Sequence, residues 1–251
     1  MKIKSLIAFV ACVVVCALSY SCSNEENTTS SSHFTAFTSG IVTEVPMTRV
    51  RLGASEGSTV ASDFLTRTSM VHATIGGKGT FYWETGDVIY VQDDNNTFFK
   101  SQSNITSSTT RHTFLVSGEY GAKASYDIYY NGTNSGLNPQ KVTIAATQTQ
   151  TAFNNTEHFG AVGDCGVAKA TKNTDAGIGG YKFDLEHKAS YLCFLPFIVQ
   201  NAERSSFKIQ KIEVTSNNNI AGTYNLSQEG LSGAGETKII TLNVGANGLP
   251  L

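Results

Sequence analysis

Short runs of aromatic and β-branched residues follow one another along this chain, each broken off by Gly, Asn or Ser. The clearest are residues 69–75, 80–83, 88–92, 97–100, 113–117, 126–130 and 141–145, then 181–185, 190–199, 207–215, 220–226 and 237–244. Several alternate at period two, the spacing of a strand with one buried face. In 207–215, Phe207, Ile209, Lys211, Glu213 and Thr215 share one face, while Lys208, Gln210, Ile212 and Val214 share the other. Neither face is purely apolar, which predicts a bulge or a switch of facing partway. No segment keeps a period of 3.6 over three turns, so the chain is predicted to be all-β.

The punctuation agrees. Asn131-Gly132 and the run Asn217, Asn218, Asn219 favour tight reversals, and Gly76-Gly77-Lys78-Gly79 reads as a hairpin loop. Residues 160–180, rich in Gly, Ala and Thr, read as a long surface loop. About a dozen strands over roughly 190 residues fit a sandwich. Only 15% of the 251 residues are charged, against about 25% in ordinary globular proteins. Instead there are 25 Ser, 29 Thr and 18 Asn. Long solvated helices need more Lys, Glu and Arg than this. With 18 Lys+Arg against 20 Asp+Glu, no face has cations to spare for nucleic-acid phosphates.

The first residues form an address. Lys2 and Lys4 precede an apolar run of 13 residues, Leu6 to Leu18. That is too short for a membrane-spanning helix, which takes about 20, and it has the anatomy of a secretory signal over residues 1–21. Ser21 sits directly before Cys22, an arrangement that resembles a lipobox. The resemblance implies cleavage before Cys22 and acylation there with fatty chains such as palmitate. Leu18 stands four residues before the Cys, where the apolar residue is usually three before; ordinary signal cleavage is the alternative. Residues 22–35, beginning Cys-Ser-Asn-Glu-Glu-Asn, are too polar to bury and read as a flexible tether. Glu25 and Glu26 resemble an acidic tag that sends some Gram-negative lipoproteins to the outer surface.

Removing residues 1–21 takes away two lysines and no acid, so the net charge of −2 becomes −4. Cys12 and Cys16 leave with the signal and Cys22 carries lipid. Cys165 and Cys193 remain as the candidate pair for one disulfide. The pairing stays open, since two cysteines do not make a framework and Cys193 in its apolar run suits a buried free thiol.

Motifs that carry chemistry are sparse. His33, His72, His112, His158 and His187 show no metal spacing and no HExxH. There is no G-x-S-x-G elbow. Asp93-Asp94-Asn95-Asn96 invites a calcium reading, but an EF-hand would need Gly at Phe98 and Glu at Asn104, so a turn is the better reading. Neither a metal nor another cofactor is expected.

Two patches stand out together. The first is Thr66-Arg67-Thr68-Ser69 followed by Trp83-Glu84-Thr85-Gly86-Asp87-Val88-Ile89-Tyr90-Val91; the second is Phe183-Asp184-Leu185-Glu186-His187-Lys188-Ala189-Ser190-Tyr191-Leu192. They resemble the fimbrillin-like family of lipoprotein pilins and pilus-associated adhesins of type V pili, over roughly residues 60–245. Read as scaffold, Trp83 supplies core area, Gly86-Asp87 sets a turn, and Ala189, Tyr191, Cys193 and Leu195 share a face of one strand. His187 falls at the junction, with its ring placed to hydrogen-bond nearby backbone.

The resemblance implies transthyretin-like β-sandwich domains and export as a lipidated precursor. It also implies removal of an N-terminal strand and filling of the open groove by a strand from the next subunit, a head-to-tail contact that grows a filament. Here residues 34–45 would be the removable strand. Arg49 or Arg51 would be the maturation site, with Arg67 a third candidate. The expected organisation is one Greek-key sandwich over residues 36–251, with the second domain of longer relatives missing or reduced.

The leading expectation is a non-enzymatic lipoprotein of the outer membrane, exposed at the cell surface or built into a fimbrium, with structural or adhesive work. Its partners would be other pilus subunits, the membrane through its lipid, and a host or bacterial surface ligand. The alternative is a lipid-anchored carbohydrate-binding protein in which Phe98, Phe99, Tyr129 and Tyr130 stack on sugar rings. An unrecognised hydrolase stands third.

Overall fold

Side chains on a strand alternate between its two faces, so a sheet whose strands are apolar on both faces must be covered on both. This chain builds such a sheet. The computed structural model describes residues 33–40, 45–46, 69–72, 78–133, 136–153, 155–175, 179–194, 196 and 207–250, within a compact unit spanning His33–Leu251. The strands are β1 (Phe34–Ser39), β2 (Val45–Pro46), β3 (Ser69–His72), β4 (Lys78–Tyr82), β5 (Tyr90–Gln92), β6 (Phe98–Lys100) and β7 (Thr113–Ser117). Then come β8 (Ser125–Tyr130), β9 (Lys141–Ile144), β10 (Thr147–Gln150), the short helix α1 (Phe159–Val162), β11 (Gly166–Lys172), β12 (Tyr181–Phe183) and β13 (Glu186–His187). The last are β14 (Lys208–Ile209), β15 (Lys211–Thr215), β16 (Gly222–Ser227), β17 (Gly230–Ser232), β18 (Ile239–Val244) and β19 (Leu249–Pro250). The protein is all-β, as its sequence predicts.

The main sheet runs β6-β5-β8-β11-β12-β1-β7, with β13 beside the start of β11. All its pairs are antiparallel except β1 with β12. Its two ends nearly meet: just past β6, Gln102 N–H donates to Leu115 O on β7 at 2.9 Å. The sheet is therefore curled almost into a barrel. Its inner face carries Phe37, Phe114, Val116, Tyr126, Ile128, Tyr130, Ala168, Ala170 and Phe183, all buried around Trp83 and Ile89. Its outer face, with Tyr90, Tyr129 and Val167, packs on Val142 and Leu226 of a second sheet ordered β17-β16-β9. Each fully buried large side chain contributes roughly 1.5–3 kcal/mol. A third sheet, β10-β18-β15, and the pair β14-β19 complete the C-terminal half.

Three expectations change. Up to Lys172 the stretch expected as a surface loop, 160–180, instead holds most of α1 and all of β11, a central strand of the main sheet. Its inner residues are small because neighbouring segments crowd them; a Cβ on Gly166 would lie 2.8 Å from Leu185 Cγ. The stretch 190–194 is described without strand pairing, because Tyr191 turns away to pack with Phe81 and Phe159. The tether expected to reach residue 35 gives way earlier, since β1 begins at Phe34.

Other expectations hold locally. The run 113–117 is β7 to the residue. The uneven run 207–215 breaks at Gln210: β14 pairs with β19 and β15 with β18. β3 and β4 form the expected antiparallel pair, but Lys78 and Gly79, expected in the loop between them, already belong to β4.

Candidate functional site: the seat of the N-terminal strand

β1 lies inside the main sheet with a partner on each side. Five residues, Phe34 to Thr38, register with β7, and three, Phe37 to Ser39, with β12. Phe37 is fully buried, stacked on Tyr181 at 5.1 Å between ring centroids and edge-on to Tyr120 at 5.0 Å. Two residues on, Ser39 Oγ accepts the indole N–H of Trp83 at 3.0 Å and the backbone N–H of His112 at 3.0 Å. Gly40 N–H continues the ladder to Phe183 O at 2.8 Å.

Gly180 makes the close approach feasible. Its φ is +81°, and a Cβ there would lie 2.2 Å from the Ala36 carbonyl oxygen. Thr38, on the opposite face from Phe37, is buried too; its hydroxyl lies 3.0 Å from that of Thr113. Without β1 the seat would be a groove between β7 and β12, floored by Phe114, Tyr126, Tyr181 and Phe183.

The Trp-x-x-Gly-Asp patch is the frame of this seat. Gly86 takes φ of +97° in the turn. Buried Asp87 accepts the N–H of Glu84 at 2.7 Å and the hydroxyl of Tyr130 at 3.1 Å. Trp83 packs edge-on against Phe114 and Tyr130. Ser69, the end of the first motif, donates to Glu84 Oε1.

The second patch contributes a sealed cluster. His187 Nδ1 and the Tyr191 hydroxyl are 2.6 Å apart, and both close on Asp164 Oδ1. The side chains of His187 and Asp164 are inaccessible to solvent. The phenol of Tyr191 is held well above its ordinary pKa by burial and by the Asp164 carboxylate, so it stays protonated and donates. His187 therefore meets side chains, where backbone was expected. The cluster pins the chain after β13 to the corner between α1 and β11.

Several sequence expectations fall elsewhere. Cys22, Arg49, Arg51 and Arg67 lie outside the described residues. Cys165 and Cys193 are both free thiols, so the open pairing is not made in this structure. Cys165 is completely buried in the second core beside Asp164, which together raise its thiol pKa. Asp93-Asp94-Asn95-Asn96 forms a turn, in which Asp93 Oδ1 accepts the N–H groups of Asn95 and Thr97, while Lys123 Nζ binds Asp93 O and Asn96 Oδ1. Tyr129 and Tyr130 are buried, and Phe98 and Phe99 pack partly buried against the two cores. Among the described residues, no three metal-ligating side chains gather, and no helix is long and apolar enough to cross a membrane.

Sequence reasoning missed Ser39, Asp164 and Gly180. The Gly-Gly pair before Tyr181 was the one local signal of close backbone approach. Compared with family models, curated proteins and solved structures, the chain has no match.

Proposed function

We propose that this chain is a lipid-anchored, surface-exposed structural or adhesive subunit of a pilus, assembled by β-strand addition. The observation that carries the reading is the seat of β1: a short N-terminal strand, paired on both sides, that closes the main sheet with one large apolar side chain. Such a strand is the kind of element that another segment of similar pattern can replace, with main-chain hydrogen bonds for affinity and the Phe37 pocket for register. The expected sequence of events is lipidation at Cys22 and display at the outer membrane. Cleavage at Arg49 or Arg51 then frees β1, and a strand from another subunit fills the groove. The motif resemblance to fimbrillin-like proteins points the same way.

Purified precursor treated with an arginine-specific protease tests the proposal. Loss of the segment bearing β1, followed by ladders on gels and fibres by microscopy, supports it. A protein that is cut cleanly yet stays monomeric refutes the filament role.

A further inference from the structure

On the opposite face of β1 from Phe37 lies an open cleft of about 550 Å3, lined by Thr38, Asn104, Arg111, His112 and Thr113. Its chemistry is one-sided: it has a cation and several donors, and no acid among the described residues lines it. Arg111 has a fixed backbone, because its N–H donates to Thr109 Oγ1 at 3.3 Å and its carbonyl accepts that hydroxyl at 2.8 Å. Thr109 in turn exchanges both backbone hydrogen bonds with the buried Trp83. The Arg111 guanidinium itself makes no hydrogen bond or ion pair with any described residue. The nearby Glu84 is engaged, its two oxygens taken by Ser69 and Ser108.

The other lining groups have free hydrogen-bonding capacity. His112 Nε2 lies 2.7 Å from Asn104 Oδ1, which can only accept, so Nε2 carries the proton and Asn104 keeps both amide hydrogens. Burial lowers the His112 pKa below its ordinary value, so near neutral pH the ring is uncharged and Nδ1 is an acceptor. Thr38 and Thr113 share one hydrogen bond between hydroxyls, which leaves one O–H to donate outward.

We infer that this cleft binds a small carboxylate-bearing, hydroxyl-rich ligand of the acidic-sugar class, with Arg111 on the carboxylate and Asn104, Thr38 and Thr113 on the hydroxyls. The planar guanidinium fork matches a carboxylate bidentately, and the volume falls in the range of small-molecule sites, about 300–1,000 Å3. The site uses none of the buried aromatic side chains, and because Thr38 belongs to β1, it is whole in the uncleaved chain, the form used in the test.

Titration of the full chain with glucuronate, its methyl ester and glucose, read by backbone amide shifts at His112 and Thr113, tests it. Glucuronate is expected to bind saturably, and ester and glucose about 10- to 100-fold more weakly, the value of one charge-assisted contact. Arg111→Gln is expected to show the same loss for glucuronate and none for glucose. Because its side chain has no partner to lose among the described residues, the variant should fold normally, checked by circular dichroism. Equal binding of glucuronate and its ester, undiminished binding by the variant, or no saturable shift overturns the assignment.

Discussion

Ser39 shows how much can depend on one small polar residue at a strand's end. Its oxygen takes two N–H groups, the buried indole of Trp83 and the partly buried backbone of His112. Ser39→Ala strands both, and should cost about 1–3 kcal/mol, the penalty for leaving a buried donor unpaired. Urea unfolding followed through the fluorescence of Trp83, the chain's single tryptophan, reads the loss directly. Phe37→Ala should cost more, about 3–5 kcal/mol, because it leaves a cavity walled by Tyr120 and Tyr181. The rings around it also set an alkaline limit. The Tyr181 pKa is pushed up to about 12, first by burial and then by the Tyr126 hydroxyl, and Tyr120 moves the same way. An unfolded tyrosine ionises near 10, so between about pH 10 and 12 the folded state keeps protons that the unfolded chain has lost. Stability should therefore be intact below pH 10 and fall as pH rises through that window, seen as a falling urea midpoint. At this scale the sequence was partly legible. Trp83 and Asp87 announced themselves as core and turn. Asp164 did not, because its partners His187 and Tyr191 lie on another segment and no spacing links them.

β11 is the element that sequence reasoning lost, and its composition explains why. A strand buried among tyrosine and phenylalanine rings has room only for Ala168 and Ala170 on its inner face. Small residues in a row look like a loop when the neighbours that fill the space lie elsewhere in the chain. Ala170→Leu should accordingly destabilise the fold by about 1–3 kcal/mol through overpacking, measured by the shift in urea midpoint. Strands whose own side chains supply the bulk, such as β7 and β8, were legible from their alternation alone. The mixed polarity of 207–215 told of an interruption somewhere in the run, while its place at Gln210 and the change of partner came only with the structure. The approach of β12 to β1 rests on Gly180, and Gly180→Ala would place a Cβ against the Ala36 carbonyl. Hydrogen exchange of the β1 amides should accelerate in that variant before the amides of β8 do, since the strain falls on the β1–β12 pair.

In the whole molecule, curling the sheet leaves β1 as a closing stave between two halves. The sequence could not convey this, because closure depends on the Gln102–Leu115 hydrogen bond and on a pairing between β1 and β12 separated by more than a hundred residues. If β1 is the exchangeable strand, a synthetic peptide of residues 33–40 added to cleaved protein should compete with subunit joining. Shorter ladders at rising peptide concentration would be the readout, and unchanged ladders would show that the groove is not where subunits join. The two-sided pairing of β1 has a mechanical meaning as well. A pull along the chain ahead of Phe34, resisted elsewhere in the folded unit, loads the hydrogen bonds to β7 and β12 in shear, all at once. Bonds loaded together fail at far higher force than bonds unzipped one by one, and rupture is then governed by the unfolding rate. A strand seated this way would hold its load under tension and still be open to replacement when no force acts.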